Sequence, residues 1–305
     1  MLGLCLIIMT SLQRVLPRKT ISSSRWILVG LISACILLSL FSNARRVYQN
    51  ELHVWFFDVG QGDAILIETP HGQQLLVDGG PDQTVLSKLS SVMMPWDRSI
   101  DAMFISHPDA DHISGLVSVL EQYDVQSVYE TGVRGGTPII AELVERIEDE
   151  QTEHVLVQQG QTFVFDGVTV DILWPTTQVV EEATERNNTS IVMRVRYGQT
   201  VLLLTGDAEA EAEEQLVDQV GDMDVLKLGH HGSKTSSIME FLRATDPEVS
   251  IVSAGVDNQY GHPHPIVLSR VSQIGSRILR TDQDGDLVMT SDGSRVEVKP
   301  AFLPF

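Results

Sequence analysis

Ser106-His107-Pro108-Asp109-Ala110-Asp111-His112 follows an apolar run over 101–106 and precedes a helical pattern from 113 to about 122. Four side chains able to bind a metal fall between positions 107 and 112. In an extended loop His107, Asp109 and Asp111 alternate and face one side. His112 then comes round as the helix begins. Ligands this dense, short and firmly held suit two neighbouring ions. The competing reading is a loop in which Asp111 caps the next helix. A single Asp fits that reading; two His and two Asp at this spacing do not.

Around this stretch the chain reads as short β-rich runs with helices set between pairs of them. Strands are predicted over 54–59, 64–68, 74–78, 101–106, 163–165, 168–174, 191–197, 200–205, 225–228, 249–253, 287–290 and 295–299. Helices are predicted over 113–122, 138–150, 208–220, 237–244 and 265–274. This order predicts two sheets with helices packed outside, a four-layer α/β sandwich. Gly79-Gly80 permits a tight reversal. Asp63 and Asp78 flank glycine turns, where Asp bonds its own turn backbone. The aromatic residues of 54–57 are expected in the core.

The chain has 305 residues, 43% of them hydrophobic, which allows one large domain or two small ones. Of its 21 basic and 41 acidic residues, six basic and no acidic ones fall in 1–50. The remainder carries 15 basic and 41 acidic residues, a net of −26. A field of that sign repels polyanions at long range. Lys227, Lys234, Arg194 and Arg196 offer local positive charge near the candidate site. Both cysteines, Cys5 and Cys35, lie in the apolar N-terminal stretches. From residue 51 onward a disulfide framework and a thiolate metal site are therefore excluded.

Residues 26–41 read WILVGLISACILLSLF, without a charge, between basic flanks. The first reading is a transmembrane anchor over about 26–42, with the N-terminus inside and a catalytic domain, 51–305, outside the cytoplasm. A cleaved signal peptide ending at Ser42-Asn43-Ala44 is the alternative. Ile32-Ser33-Ala34-Cys35 has the look of a lipoprotein site, but apolar residues continue after it.

The 106–112 stretch resembles the His-x-His-x-Asp-His motif of the metallo-β-lactamase superfamily, with Asp109 in place of the second His. With DVGQGDA (58–64), LLVDGG (75–80), NNTS (187–190), LLTGD (203–207), LKLGHHGSK (226–234) and YGHPHP (260–265), it resembles the C-terminal domain of ComEC competence proteins over roughly 52–300. The resemblance implies an αββα fold and a hydrolase with two divalent ions. It gives His107 and Asp109 to one ion, Asp111 and His112 to the other, and Asp207 to both. His264, with His262 as rival, is implied as the last ligand. Where the family has a further His, this chain has Asn187 and Asn188, which leaves the first ion short of a ligand.

Asp109 hardens the site and shifts preference from zinc toward manganese. His231, or His230 beside it, is expected to donate a proton to the leaving group. Lys234 is expected to neutralise a phosphate, and Asp111 counts among the catalytic residues as well as the ligands. The function implied is an extracytoplasmic phosphodiesterase or nuclease acting on DNA, single-stranded DNA first, during uptake. A hydrolase of small lactones or cyclic phosphodiesters, favoured by the acidic surface, and a non-catalytic partner of a DNA-uptake channel are the alternatives.

Overall fold

A computed structural model describes residues 26, 28–35, 37, 50–134, 137–149, 152–182 and 186–301. The chain divides into two units, Met1–Arg46 and Val47–Phe305. The described residues of the first are helical and exposed. Among the described residues no helix is long and apolar enough to cross a membrane. The rest of the span expected over 26–42, and the cleavage reading at 42–44, lie outside the described residues.

In the second unit two large sheets stack. The first has eight strands in the order Val296–Pro300, Leu287–Ser291, Leu52–Phe56, Ile65–Glu68, Gln74–Val77, Ala102–Phe104, Ser127–Glu130 and Glu153–Leu156. The other has seven, in the order Arg277–Arg280, Val249–Val252, Val225–Lys227, Thr200–Leu204, Val192–Tyr197, Val168–Trp174 and Thr162–Phe165. Each sheet joins an antiparallel part to a parallel one.

The central strands are apolar on both faces because both faces are covered. Val54, Phe56, Ile65, Ile67, Leu75 and Val77 point between the sheets, against Val170, Ile172, Met193, Leu202 and Leu204. Their alternating neighbours Trp55, Phe57, Leu66 and Leu76 point outward, onto the helices Thr84–Val92, Ala110–Gln122 and Pro138–Asp149. Leu203, Leu226 and Val252 of the second sheet face the helices Ala210–Leu216, Met239–Thr245 and Pro265–Gln273. Helix, sheet, sheet and helix make the four layers that the order of elements predicts.

One boundary matters for function. The helix after the His-Asp stretch begins at Ala110, not 113. The Asp109 carbonyl accepts from the amides of His112 and Ile113, at 3.0 and 3.1 Å. Asp111 and His112 therefore both stand in the first helical turn, and Asp111 does not alternate with His107 and Asp109 in an extended loop. Apolar periodicity starts only at Ile113, so it could not reveal the polar first turn.

Candidate metal centre

The candidate ligands sit at the carboxyl ends of neighbouring parallel strands, where α/β sheets generally hold their ligands. Asp78 follows Gln74–Val77, and His107 to His112 follow Ala102–Phe104. Asp207 follows Thr200–Leu204, and His230 and His231 follow Val225–Lys227. The Ile191 amide donates to Ser106 O at 2.9 Å and ties loops of the two sheets together across the hollow. Close approach explains two glycines. A Cβ on Gly115 would lie 2.0 Å from Gly79 O, and one on Gly62 would lie 2.1 Å from Asp111 O. Both loops press the first turn of the Ala110–Gln122 helix into place.

Asp111, His112, Asp207 and His231 form one group, each offering a ligand atom within 4.8 Å of the others. Each histidine is oriented from behind. His112 Nδ1 lies 2.8 Å from Asp78 Oδ2. Asp78 is itself fixed by the Ser106 amide and hydroxyl, which donate at 2.8 and 2.6 Å. His231 Nδ1 lies 3.0 Å from the Ser253 carbonyl. A carbonyl only accepts, so Nδ1 carries the proton there, and the lone pair of the neutral ring is on Nε2. That atom faces Asp207 Oδ2 at 3.4 Å and Asp111 Oδ2 at 3.5 Å. His230 and His231 hold this turn with φ of 46° and 53°. Consecutive non-glycine residues in that region cost about 1–3 kcal/mol each, a strain typical of functional sites.

A second half adjoins it through Asp207. His107 Nε2 lies 3.8 Å from Asp109 Oδ2 and 3.9 Å from Asp207 Oδ2. His230 Nε2 is also 3.9 Å from Asp207 Oδ2, and its Nδ1 is 2.9 Å from Glu209 Oε1. Asp109 caps the helix by its backbone only. Its Oδ1 instead meets Arg186 at 3.1 Å.

Beneath both halves lies Lys227, with no exposed surface. Its ammonium pairs with Asp63 Oδ2, donates to Gly206 O at 3.1 Å and stands 4.0 Å from Asp207 Oδ1. Asp63 in turn lies 3.6 Å from His231 Nδ1 and 3.9 Å from His112 Nδ1.

The electrostatics favour cations. Burial works to raise Asp207, but the charges of His231 and His112 outweigh it and hold it well below the usual carboxylate range. Burial also works to raise Asp111, against the nearby His231 and the charge of His112, and the carboxyl ends below its usual range. Conversely, burial would lower His231, yet Asp207 and Asp111 push it up to about 9. His107, where burial and the charge of His112 act together, falls well below its ordinary value and is neutral. Burial raises Asp109 against the opposing pull of Arg186.

The residues fit divalent ions. His107 Nε2, His112 Nε2, His231 Nε2 and Asp207 Oδ1 are buried and make no hydrogen bond among the described residues. Buried polar atoms without partners are costly unless something else satisfies them. Nitrogen and oxygen atoms gathered around one carboxylate are ligands suited to zinc, iron or manganese.

Of the residues expected in the site, His107, Asp109, Asp111, His112, Asp207 and His231 come together. His231 lies inside the ligand group, not apart from it as a free proton donor would. His264 does not enter the group. It is the N-cap of Pro265–Gln273, and its Nδ1 accepts from the Ile266 amide at 3.2 Å. Lys234 is exposed. Of the local positive charges, Lys227 is spent on Asp63, while Arg194 and Arg196 are spent on Asp171, at 3.3 and 2.9 Å.

Sequence reasoning missed the reach of Asp63 and Asp78, whose carboxylates bond well beyond their own turns. A lysine inside the apolar run 225–228 was the available signal that a buried carboxylate faces it. Nothing in the sequence singled out Arg186.

The model of the Metallo-beta-lactamase superfamily matches residues 57–256. ComE operon protein 3 of Bacillus subtilis is 29% identical over 285 residues, covering 87% of this chain and 36% of that protein. Competence protein ComA of Neisseria gonorrhoeae is 34% identical over 259 residues, 83% of this chain and 35% of that one. Recombination protein 2 of Haemophilus influenzae is 30% identical over 281 residues, 90% and 33%. The chain thus spans about a third of the length of these curated relatives.

Two solved structures share the fold. YhfI from Bacillus subtilis has a TM-score of 0.56 at 14% identity, covering 79% of this chain and all of that one. The diiron β-hydroxylase CmlA from Streptomyces venezuelae has a TM-score of 0.50 at 15% identity, covering 76% and 53%. The four-layer sandwich, the His-Asp centre at its strand ends and the match over 57–256 agree: the chain belongs to the metallo-β-lactamase superfamily.

Proposed function

We propose that the chain is a metal-dependent phosphodiesterase that cleaves DNA. The observation that carries this reading is the set of buried, unpartnered atoms on His107, His112, His231 and Asp207, with all three Nε2 atoms within 3.9 Å of the Asp207 carboxylate. Asp111, His112, Asp207 and His231 would hold one ion. His107, Asp109 and Asp207 would hold the other, with His230 Nε2 in the place that Asn187 and Asn188 leave short. His231 is accordingly assigned as a ligand. Bound there, two divalent ions supply Lewis acidity toward a phosphoryl oxygen and lower the pKa of water to the neutral range.

The chain's own residues do the rest. Asp78 and the Ser253 carbonyl fix the tautomers of His112 and His231. Glu209 orients His230, and exposed Lys234 meets phosphate charge. Asp109, an oxygen ligand, tilts its half toward manganese. The names of the relatives, a competence protein and a recombination protein, support DNA as the substrate. The acidic surface supports the second reading, a small phosphodiester as substrate.

Manganese and zinc should be compared on the full chain with single-stranded DNA and bis-(p-nitrophenyl) phosphate. Manganese-dependent cleavage of both is the expected result. Cleavage of the small ester alone would favour the second reading. No cleavage of either by folded, metal-loaded protein would sink the phosphodiesterase and leave a non-catalytic partner of a DNA-uptake channel.

A further inference from the structure

Three rings form a stair from solvent to the metal centre. Tyr260 is 60% exposed and stacks on His262, with ring centroids 5.8 Å apart and planes 25° from parallel. His262 packs edge-on against His230, at 5.4 Å and 77°. His230 Nε2 stands 3.9 Å from Asp207 Oδ2. None of this serves the core: Tyr260 offers most of its surface to water. His262 Nδ1 is buried and has no hydrogen-bond partner among the described residues.

The loop that presents Tyr260 is held firmly. Asn258 Nδ2 donates to the carbonyls of Gly255 and His262, at 2.9 and 2.6 Å, and Asn258 Oδ1 accepts from the His262 amide at 3.0 Å. At its start the Gly255 amide donates to Gln61 Oε1 at 3.3 Å, and a Cβ on Gly255 would lie 2.7 Å from Gln61 N. At its end the His264 amide donates to Gly232 O at 2.9 Å. A planar ligand that stacks on a ring already held in place loses little of its affinity to ordering the protein.

We propose that Tyr260 is a stacking platform for a nucleobase next to the scissile phosphate, a role that rests on the phosphodiesterase reading above. Every base has a π-face, so such a platform binds single strands without regard to sequence. A duplex keeps those faces stacked and would have to be opened first. Stacking also answers the charge problem. A domain whose surface is net acidic gains affinity for a polyanion from base contact without a basic patch.

The test is binding of a labelled single-stranded oligonucleotide to the full chain, by fluorescence anisotropy, with a matched oligonucleotide of abasic residues. Tyr260→Ala should weaken binding of the normal strand by about 5- to 150-fold, the worth of one stacked base. Tyr260→Trp should retain it. The abasic strand should bind the wild type weakly and be indifferent to Tyr260→Ala. Equal affinity of wild type and Tyr260→Ala for the normal strand, or no binding by the wild type, would overturn the platform. Manganese-dependent turnover by the wild type is read separately, so loss of the phosphodiesterase reading and loss of the platform are distinguishable.

Discussion

The two halves of the candidate metal centre meet at Asp207 but are built differently. In the half formed by Asp111, His112, Asp207 and His231, four ligand atoms lie within 4.8 Å of one another. Asp78 fixes one imidazole and the Ser253 carbonyl the other. Its metal-facing geometry is set before any ion arrives. In the other half, His107 and Asp109 stand 3.8 Å apart, and Asp109 is partly engaged by Arg186, whose side chain is 43% exposed. The Asn pair at 187–188 supplies no imidazole. A preorganised ligand set binds more tightly than one that must first release a partner. The first half should therefore hold its ion firmly, and the second should fill only at higher metal concentration.

The strongest way to break that asymmetry is to remove the shared ligand. Asp207→Ala should strip both ions and reduce turnover by more than about 10²-fold, whereas His107→Ala should cost only the weaker ion. Elemental analysis of the two proteins decides this. Equal metal in Asp207→Ala and wild type would end the two-halves account.

Next in size comes the support beneath. Lys227→Met removes the ammonium that meets the buried Asp63 carboxylate directly, and breaking a buried pair from one side costs about 3–5 kcal/mol. Urea denaturation should show that loss, and the double variant Lys227→Met with Asp63→Asn should recover much of it. A single variant as stable as wild type would mean that Lys227 does not carry the charge balance.

The smallest effect sharpens the comparison. Arg186 competes with an ion for Asp109, and an exposed pair of this kind is worth about 0.2–1 kcal/mol. Arg186→Ala should tighten manganese binding in the weak half by about 2- to 5-fold. Calorimetric titration showing weaker binding would mean that Arg186 supports Asp109 and does not hold it back.

Much of the fold was legible because the central strands are buried on both faces, which leaves largely apolar runs such as 168–174 and 200–205. Other elements were not legible. The helix Thr84–Val92 carries three serines on its outer side, and the edge strand Glu153–Leu156 is largely exposed. Neither bears the apolar signal that burial imposes. In the site, four candidate ligands within one short stretch, 107–112, advertised themselves locally. His264, which the resemblance implied as the last ligand, has its ring turned to cap a helix, a contact that no local pattern announces.

By itself the sequence determined the chemical character of the centre: His107, Asp109, Asp111 and His112 are neighbours along the chain, and no folding could separate them. It also determined the layered α/β class, through the alternation of apolar runs. Only the tertiary structure decided which distant residues complete the centre. Asp63, Asp78 and Asp207 come from three separate strand ends and turns, and Lys227 and His231 from a fourth, and their approach depends on the stacking and register of two sheets. Local pattern carries no information about that register; it is fixed by core packing spread over the whole domain. The same packing turns the His231 imidazole toward Asp207 and the His264 imidazole toward a helix amide.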